Sequence, residues 1–154
     1  MSLSAEEIYG YSITKTSRSI LRFLTVQLKS FSITPEQWTV LKRVYENDGI
    51  KQKELSIHTD KDPATLAKIL DILERDQMII RKTNHTDRRS YFIFITEKGA
   101  KLRNTIYIHL EEVFKQILEG ISNEELTVFS KVLKQIENNA ITDINNWIEV
   151  NRYE

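Results

Sequence analysis

The apolar positions of this chain keep a helical spacing over most of its length and abandon it once. Leu66, Ile69, Leu70 and Leu73 stand at i, i+3, i+4 and i+7, which predicts a helix over about residues 63–76 with one buried stripe. Ala64, Lys68, Asp71 and Arg75 fall on its other face. Ile13, Ile20, Leu24 and Leu28 mark a similar stripe in a helix over about residues 4–30. Ile106, Leu110, Val113, Phe114, Ile117 and Leu118 predict a long helix from Thr96 to about Glu119, and Leu126, Phe129, Leu133, Ile136, Ala140, Ile144 and Trp147 predict a last one. After Arg75 the period changes. Met78 to Thr83 and Tyr91 to Ile95 are β-prone runs around the turn-rich Asn84-His85-Thr86-Asp87, a two-stranded hairpin that needs helices to lie against. Phe92 and Phe94 alternate with Tyr91, Ile93 and Ile95, so both faces of the second strand require cover, from a helix or from a small ligand.

The rare punctuation residues agree with these elements. Thr34-Pro35-Glu36-Gln37 reads as N-cap, proline at the first helical position and a capping-box glutamine, and Asp62-Pro63 repeats the cap-then-proline pattern. Ser122-Asn123-Glu124-Glu125 has the capping-box spacing. Gly49 and Gly120 stand where left-handed caps end helices. Lys51 to His58 forms a short helix around Leu55, separated by Thr59-Asp60-Lys61 from the helix at Pro63. A helix-turn-helix and an ordinary αα-corner share this pattern.

Composition narrows the chemistry. The chain has 154 residues and a formal net charge of zero, so the total favours no polyanionic partner. The distribution is uneven: residues 51–103 hold twelve Lys/Arg against eight Asp/Glu, and residues 104–154 hold four against nine. Local charge is what attracts phosphate. There is no cysteine, which excludes disulfides and thiolate metal sites. His58, His85 and His109 lie on three different elements, so no metal site is expected. No phosphate loop, nucleophile elbow or metal-binding pair occurs; no catalytic residue and no cofactor are expected. The apolar runs are too short to span a bilayer and the first ten residues lack a signal-peptide pattern, so the expectation is a soluble, cytoplasmic protein.

Helix, turn, helix and hairpin in this order make a winged helix-turn-helix. The chain resembles the multiple antibiotic resistance regulator (MarR) family of bacterial transcription factors. The resemblance rests on Thr34-Pro35-Glu36-Gln37-Trp38-Thr39-Val40-Leu41, on Lys51-Gln52-Lys53-Glu54-Leu55, and on Thr65 through Glu74. Its strongest part is the wing signature, Asp87-Arg88-Arg89 through Ile95-Thr96, followed by Glu97-Lys98-Gly99. The motifs cover about residues 34–100. One departure is Gln77, where the family has glycine: a non-glycine residue must then adopt the left-handed turn after the recognition helix.

The fold expected is mainly α with a small β-hairpin wing, a winged helix-turn-helix flanked by long N- and C-terminal dimerisation helices. Residues 1–154 form a single domain, with 34–102 the winged helix-turn-helix and 4–32 plus 103–154 the dimerisation region. A recognition helix fits the major groove with its first turns nearest the bases. Lys61, Ala64, Thr65 and Lys68 are the candidates there: thymine methyl for Ala64 or Thr65, guanine or phosphate for Lys68. By resemblance Arg89 enters the minor groove; Asp87 can hold its guanidinium, and Arg88 touches phosphate. Lys51, Lys53, Arg81 and Lys82 are further phosphate candidates. Long apolar stripes without partners imply a homodimer, with half-sites about 34 Å apart on double-stranded DNA. The resemblance implies a repressor that releases DNA when a small aromatic effector binds; Phe23, Trp38, Tyr107 and His109 are candidate lining, or ordinary core and surface. The alternative is a dimeric winged-helix interaction protein that does not read DNA sequence.

Overall fold

A capping box starts the first helix: Ser4 Oγ accepts the Glu7 amide at 3.1 Å, and the Glu7 carboxylate accepts the Ser4 amide at 2.8 Å. The computed structural model describes residues 4–83 and 90–150, with the backbone alone for Ala5, Asn146, Trp147, Glu149 and Val150. The wing-tip residues Asp87, Arg88 and Arg89 lie outside the described residues. Two units are distinguished, Met1–Glu112 and Val113–Glu154.

In the first unit, α1 (Ala5–Leu28) runs into a 3-10 turn, Lys29–Phe31, and α2 is Pro35–Glu46. The cap expected at Thr34 forms in both directions, the Gln37 amide donating to Thr34 Oγ1 at 3.2 Å and the Thr34 amide to Gln37 Oε1 at 3.0 Å. Then follow β1 (Ile50–Lys51), α3 (Gln52–His58), α4 (Pro63–Arg75), β2 (Ile79–Thr83), β3 (Tyr91–Ile95) and α5 (Glu97–Ile117), whose last residues belong to the second unit. One core joins them: Trp38, Leu41 and Val44 of α2, Leu55 of α3, Leu66, Ile69, Leu70 and Leu73 of α4, Ile79, Ile93, and Ile106 of α5 are buried. The α4 stripe is thus the face read from the sequence, and burying it is what fixes the opposite face outward.

The sheet differs from the two-stranded hairpin expected. It has three antiparallel strands in the order β1-β3-β2, with Ile50 paired to Ile93, Lys51 to Phe92, and β2 to β3 from Ile79–Ile95 to Thr83–Tyr91. Two residues are too few for a period to be read, so β1 leaves no mark on the hydrophobic pattern. Gly49, at φ +81°, does not cap α2, which has already ended; it turns the chain into β1 and donates its amide to the Ile93 carbonyl at 2.9 Å. Asp48 continues that edge with a side chain, its Oδ1 accepting the Ile95 amide at 2.8 Å. The second face of β3 is covered from within the unit: Lys82 Nζ stands 4.7 Å above the Phe94 ring, and the same ring packs on the Gly49 turn.

Between α4 and β2 the chain turns in three residues. Gln77 takes the left-handed conformation at φ +62°, its amide donates to the Glu74 carbonyl at 2.9 Å and the Met78 amide to the Leu73 carbonyl at 2.8 Å, the Schellman pattern without glycine. Thr96 ties this turn to α5. Its amide donates to the Met78 carbonyl at 3.0 Å, its hydroxyl lies 2.7 Å from the Gln77 carbonyl, and its Oγ1 accepts the Gly99 amide at 3.0 Å as a helix cap.

In the second unit, α6 (Asn123–Val150) starts at the expected box, the Glu125 amide on Ser122 Oγ and the Ser122 amide on the Glu125 carboxylate. The Ser122 amide, and after it the Ser122 hydroxyl, hold the Glu125 carboxyl below its usual range. None of its described residues is buried, and Phe129, Ile136 and Ile144 are 55%, 40% and 57% exposed. Ile8, Tyr9, Leu21 and Val26 of α1 are likewise exposed. No helix among the described residues is long and apolar enough to cross a membrane.

Candidate nucleic-acid interface

The α3–α4 turn is held by its own polar groups. Thr59 is buried and its hydroxyl donates to the Leu55 carbonyl at 2.7 Å; Ser56 donates to the Lys61 carbonyl at 2.5 Å and accepts, through its own carbonyl, the Lys61 amide at 3.1 Å. Asp60 closes the turn at φ +50°. Lys61 then turns away from solvent. Its side chain is 12% exposed and its ammonium is paired with the Glu36 carboxylate at the start of α2. No local pattern points to this partner, since the two stand 25 residues apart along the chain.

Asp62 caps α4 with both oxygens, Oδ1 accepting the Thr65 amide at 2.9 Å and Oδ2 the Thr65 hydroxyl at 2.6 Å. The hydroxyl bond, then the amide bond, hold the Asp62 carboxyl below its usual range. Thr65 therefore gives its one hydroxyl proton to Asp62 and keeps a methyl group and an acceptor lone pair for anything that approaches. Ala64, Thr65 and Lys68 are all exposed, on the side of α4 opposite its buried stripe. Beside them a cleft of about 370 Å³ is lined by Gln52, Lys53 and Ser56 of α3, Pro63 and Leu66 of α4, and Ser90 and Tyr91 at the start of β3. It brings together the three pieces that a groove reader uses: the first helix, the start of the second and the strand leading from the wing.

The phosphate candidates divide. Lys51 and Lys53 are exposed and, among the described residues, have no carboxylate partner. Lys82 is exposed with its ammonium over Phe94. Arg81 is different: its Nε and Nη2 donate to Glu74 Oε2 at 2.9 and 2.6 Å, and Nη2 also donates to Asp71 Oδ1 at 2.7 Å. Of the aromatic candidates, Trp38 is buried core and Phe23 is half-buried. Tyr107 and Tyr45 sandwich the Arg103 guanidinium at 4.5 and 4.4 Å, while His109 Nε2 lies 2.9 Å from Gln27 Oε1 and its ring 5.4 Å from that of Phe31. Tyr107 and His109 thus each have a structural partner. Among the described residues no three His, Cys, Asp or Glu side chains are grouped to hold a metal.

A family model described as the MarR family matches residues 33–91, from the residue before the Thr34 cap to the start of β3. The HTH-type transcriptional regulator MhqR of Bacillus subtilis is 26% identical over 128 residues, 83% of this chain and 88% of that protein. The crystal structure of a MarR transcriptional regulator from Methanosarcina mazei superimposes with a TM-score of 0.78 at 26% identity, covering 88% of this chain and 98% of that one. A crystal structure of the S. aureus MepR–DNA complex superimposes with a TM-score of 0.79 at 25% identity, covering 85% and 97%. Fold, element order and sequence agree with the MarR family of transcriptional regulators, whose model residues 33–91 match.

Proposed function

We propose that this protein is a homodimeric, sequence-specific regulator of transcription that binds a pseudo-palindromic operator in double-stranded DNA and represses until a small aromatic effector releases it. The observation that carries the reading is the first two turns of α4: Ala64, Thr65 and Lys68 exposed together above a buried stripe, within the residues matched by the family model. A helix so presented enters the major groove. Thr65 offers a methyl to thymine, because its proton is committed to Asp62, and Lys68 reaches guanine O6/N7 or phosphate. Lys51, Lys53 and Lys82 contact phosphates, and Lys61 joins them only by leaving Glu36. At the wing Arg89 enters the minor groove, Asp87 steadies its guanidinium and Arg88 meets the backbone. The uncovered apolar residues of α1 and of α6 support the dimer, because a stripe of that length is costly to leave in water.

The test is a mobility shift on the DNA upstream of the protein's own gene, with wild type and Arg89→Ala side by side. Retardation by the wild type that weakens in the variant is expected; equal retardation by both, or by neither, removes the wing mechanism. If six to ten phosphates are neutralised, affinity falls by roughly 10³–10⁵ between 50 and 200 mM salt. Phenolic compounds added to the wild-type complex should restore free DNA, which tests the effector separately.

A further inference from the structure

Arg81 is the third residue of the strand that leads to the wing, yet its guanidinium faces the recognition helix. Glu74 grips it twice over: Oε2 accepts Nε and Nη2, and Oε1 accepts the Arg81 backbone amide at 2.9 Å. Asp71, one helical turn earlier on α4, takes Nη2 as well. The Arg81 side chain is 23% exposed. Its hydrogen bonds hold the Glu74 carboxyl below its usual range and raise Arg81 above its own. The covalent link between the two elements is Asp76-Gln77-Met78, closed by its own backbone bonds and by Thr96, with Gln77 in a conformation that favours glycine. That turn and the buried Leu73 and Ile79 bring the two elements together, and a planar fork bonded through both backbone and side chain adds a constraint on their angle farther along the strand. Two carboxylates around one guanidinium also leave that spot net negative, the wrong sign for a phosphate ligand.

We propose that Arg81 is a positioning residue: with Glu74 and Asp71 it fixes the angle between α4 and the wing strands, and so decides whether the major and minor grooves are engaged at the same time. This rests on the DNA-binding reading above. It assigns Arg81 a different role from the phosphate contact that its charge alone suggested.

The two roles differ in sign for Glu74→Gln, which keeps volume and leaves Oε1 to accept the Arg81 amide. As a phosphate ligand, Arg81 freed from a carboxylate would bind DNA more tightly; as a positioning residue, it would bind the operator less well. Wild type, Glu74→Gln, Arg81→Lys and Arg81→Ala are compared on the tightest duplex that the wild type selects from a random pool, and on poly(dI-dC), at a temperature where circular dichroism shows all four folded. The expected result is a severalfold weaker operator complex for Glu74→Gln and about a tenfold or greater loss for Arg81→Ala. Arg81→Lys should fall between, with poly(dI-dC) binding and the salt slope unchanged. In Arg81→Ala, hydroxyl-radical protection of the minor groove is lost while methylation protection at guanine N7 persists. Tighter operator binding by Glu74→Gln, a salt slope lowered by about two in the Arg81→Ala dimer, equal loss of both protections, or operator affinities within twofold throughout would overturn the proposal. A wild type that selects no duplex overturns the DNA-binding reading itself, and the proposal with it.

Discussion

Gly99→Ala sets two physical effects against each other, and the structure decides between them. Gly99 is the third residue of α5, and an alanine in a helix is normally better than a glycine by about 1 kcal/mol. A Cβ built there, however, would stand 2.1 Å from the Met78 carbonyl oxygen and 3.0 Å from Ile95 Cδ1. Ordinary C···O contact needs about 3.3 Å, so α5 or the start of β2 must give by roughly 1.2 Å. Neither can do so freely, because the same Met78 carbonyl accepts the Thr96 amide and lies 3.0 Å from the Thr96 hydroxyl. Over-packing costs about 1–3 kcal/mol and each strained bond up to about 1 more. An overlap of that size calls on the upper half of the packing range, so packing wins, and a net destabilisation of about 1–4 kcal/mol is expected after the propensity gain. Urea denaturation at a single protomer concentration should show a lower midpoint with an unchanged slope. A midpoint equal to or above that of the wild type would mean that the Met78 carbonyl yields freely and that only the propensity effect operates. Because Met78 leads directly into β2, the variant should also bind the operator less tightly.

Three further outcomes are expected. Leu70→Ala removes a fully buried side chain of the α4 stripe and should cost about 2–5 kcal/mol in the same denaturation assay. Glu74 is a carboxyl with its folded pKa depressed, so the fork stabilises above the ordinary glutamate range and that contribution is lost as pH falls through the depressed value; the wild-type advantage in Tm over Glu74→Gln should therefore vanish on acidification and be full at neutral pH. The double change Phe129→Lys with Ile136→Lys places charge on the exposed α6 stripe, and sedimentation should find a monomer that no longer retards DNA; a wild type that sediments as a monomer at micromolar concentration would remove the dimer.

The sequence revealed most where local chemistry has one geometric solution. Thr34-Pro35 and Asp62-Pro63 each permit a helix start and little else, Ser122 with Glu125 closes on itself, and Leu66, Ile69, Leu70 and Leu73 share a face only in a helix. Gln77 stands where the resemblance puts a glycine in a left-handed turn, and it takes that conformation. What stayed hidden depends on residues that meet only after the chain has folded. Glu74 and Arg81 are seven positions apart across a change from helix to strand, and no period relates them. Lys61 finds Glu36 from 25 residues away, and β1 exists because β3 offers it an edge. Counting basic residues therefore overstated the free ones at the candidate site. Two of its cations are already matched by carboxylates, and neither is distinguishable from Lys53 or Lys68 by its neighbours in sequence.

That pairing bears on how a neutral chain could hold a polyanion. In the first unit Glu36, Asp71, Glu74 and Asp76 are committed to Lys61, Arg81 and Arg75, Asp62 to a helix cap and Asp48 to a strand amide. A matched pair is a small dipole whose field fades quickly, whereas an unmatched lysine remains a point charge. Among the described residues of the winged region, Lys51, Lys53, Lys68 and Lys82 have no carboxylate partner, against Glu54 and Asp60 as exposed carboxylates in the same state. At physiological salt a phosphate responds to charges within about 8 Å, not to the total. The acids that bring that total to zero are concentrated in residues 104–154, outside the helix-turn-helix and the wing. Zero net charge and a cationic reading face are thus compatible, and Lys53→Glu should weaken operator binding far more than the same reversal at Lys131 of α6.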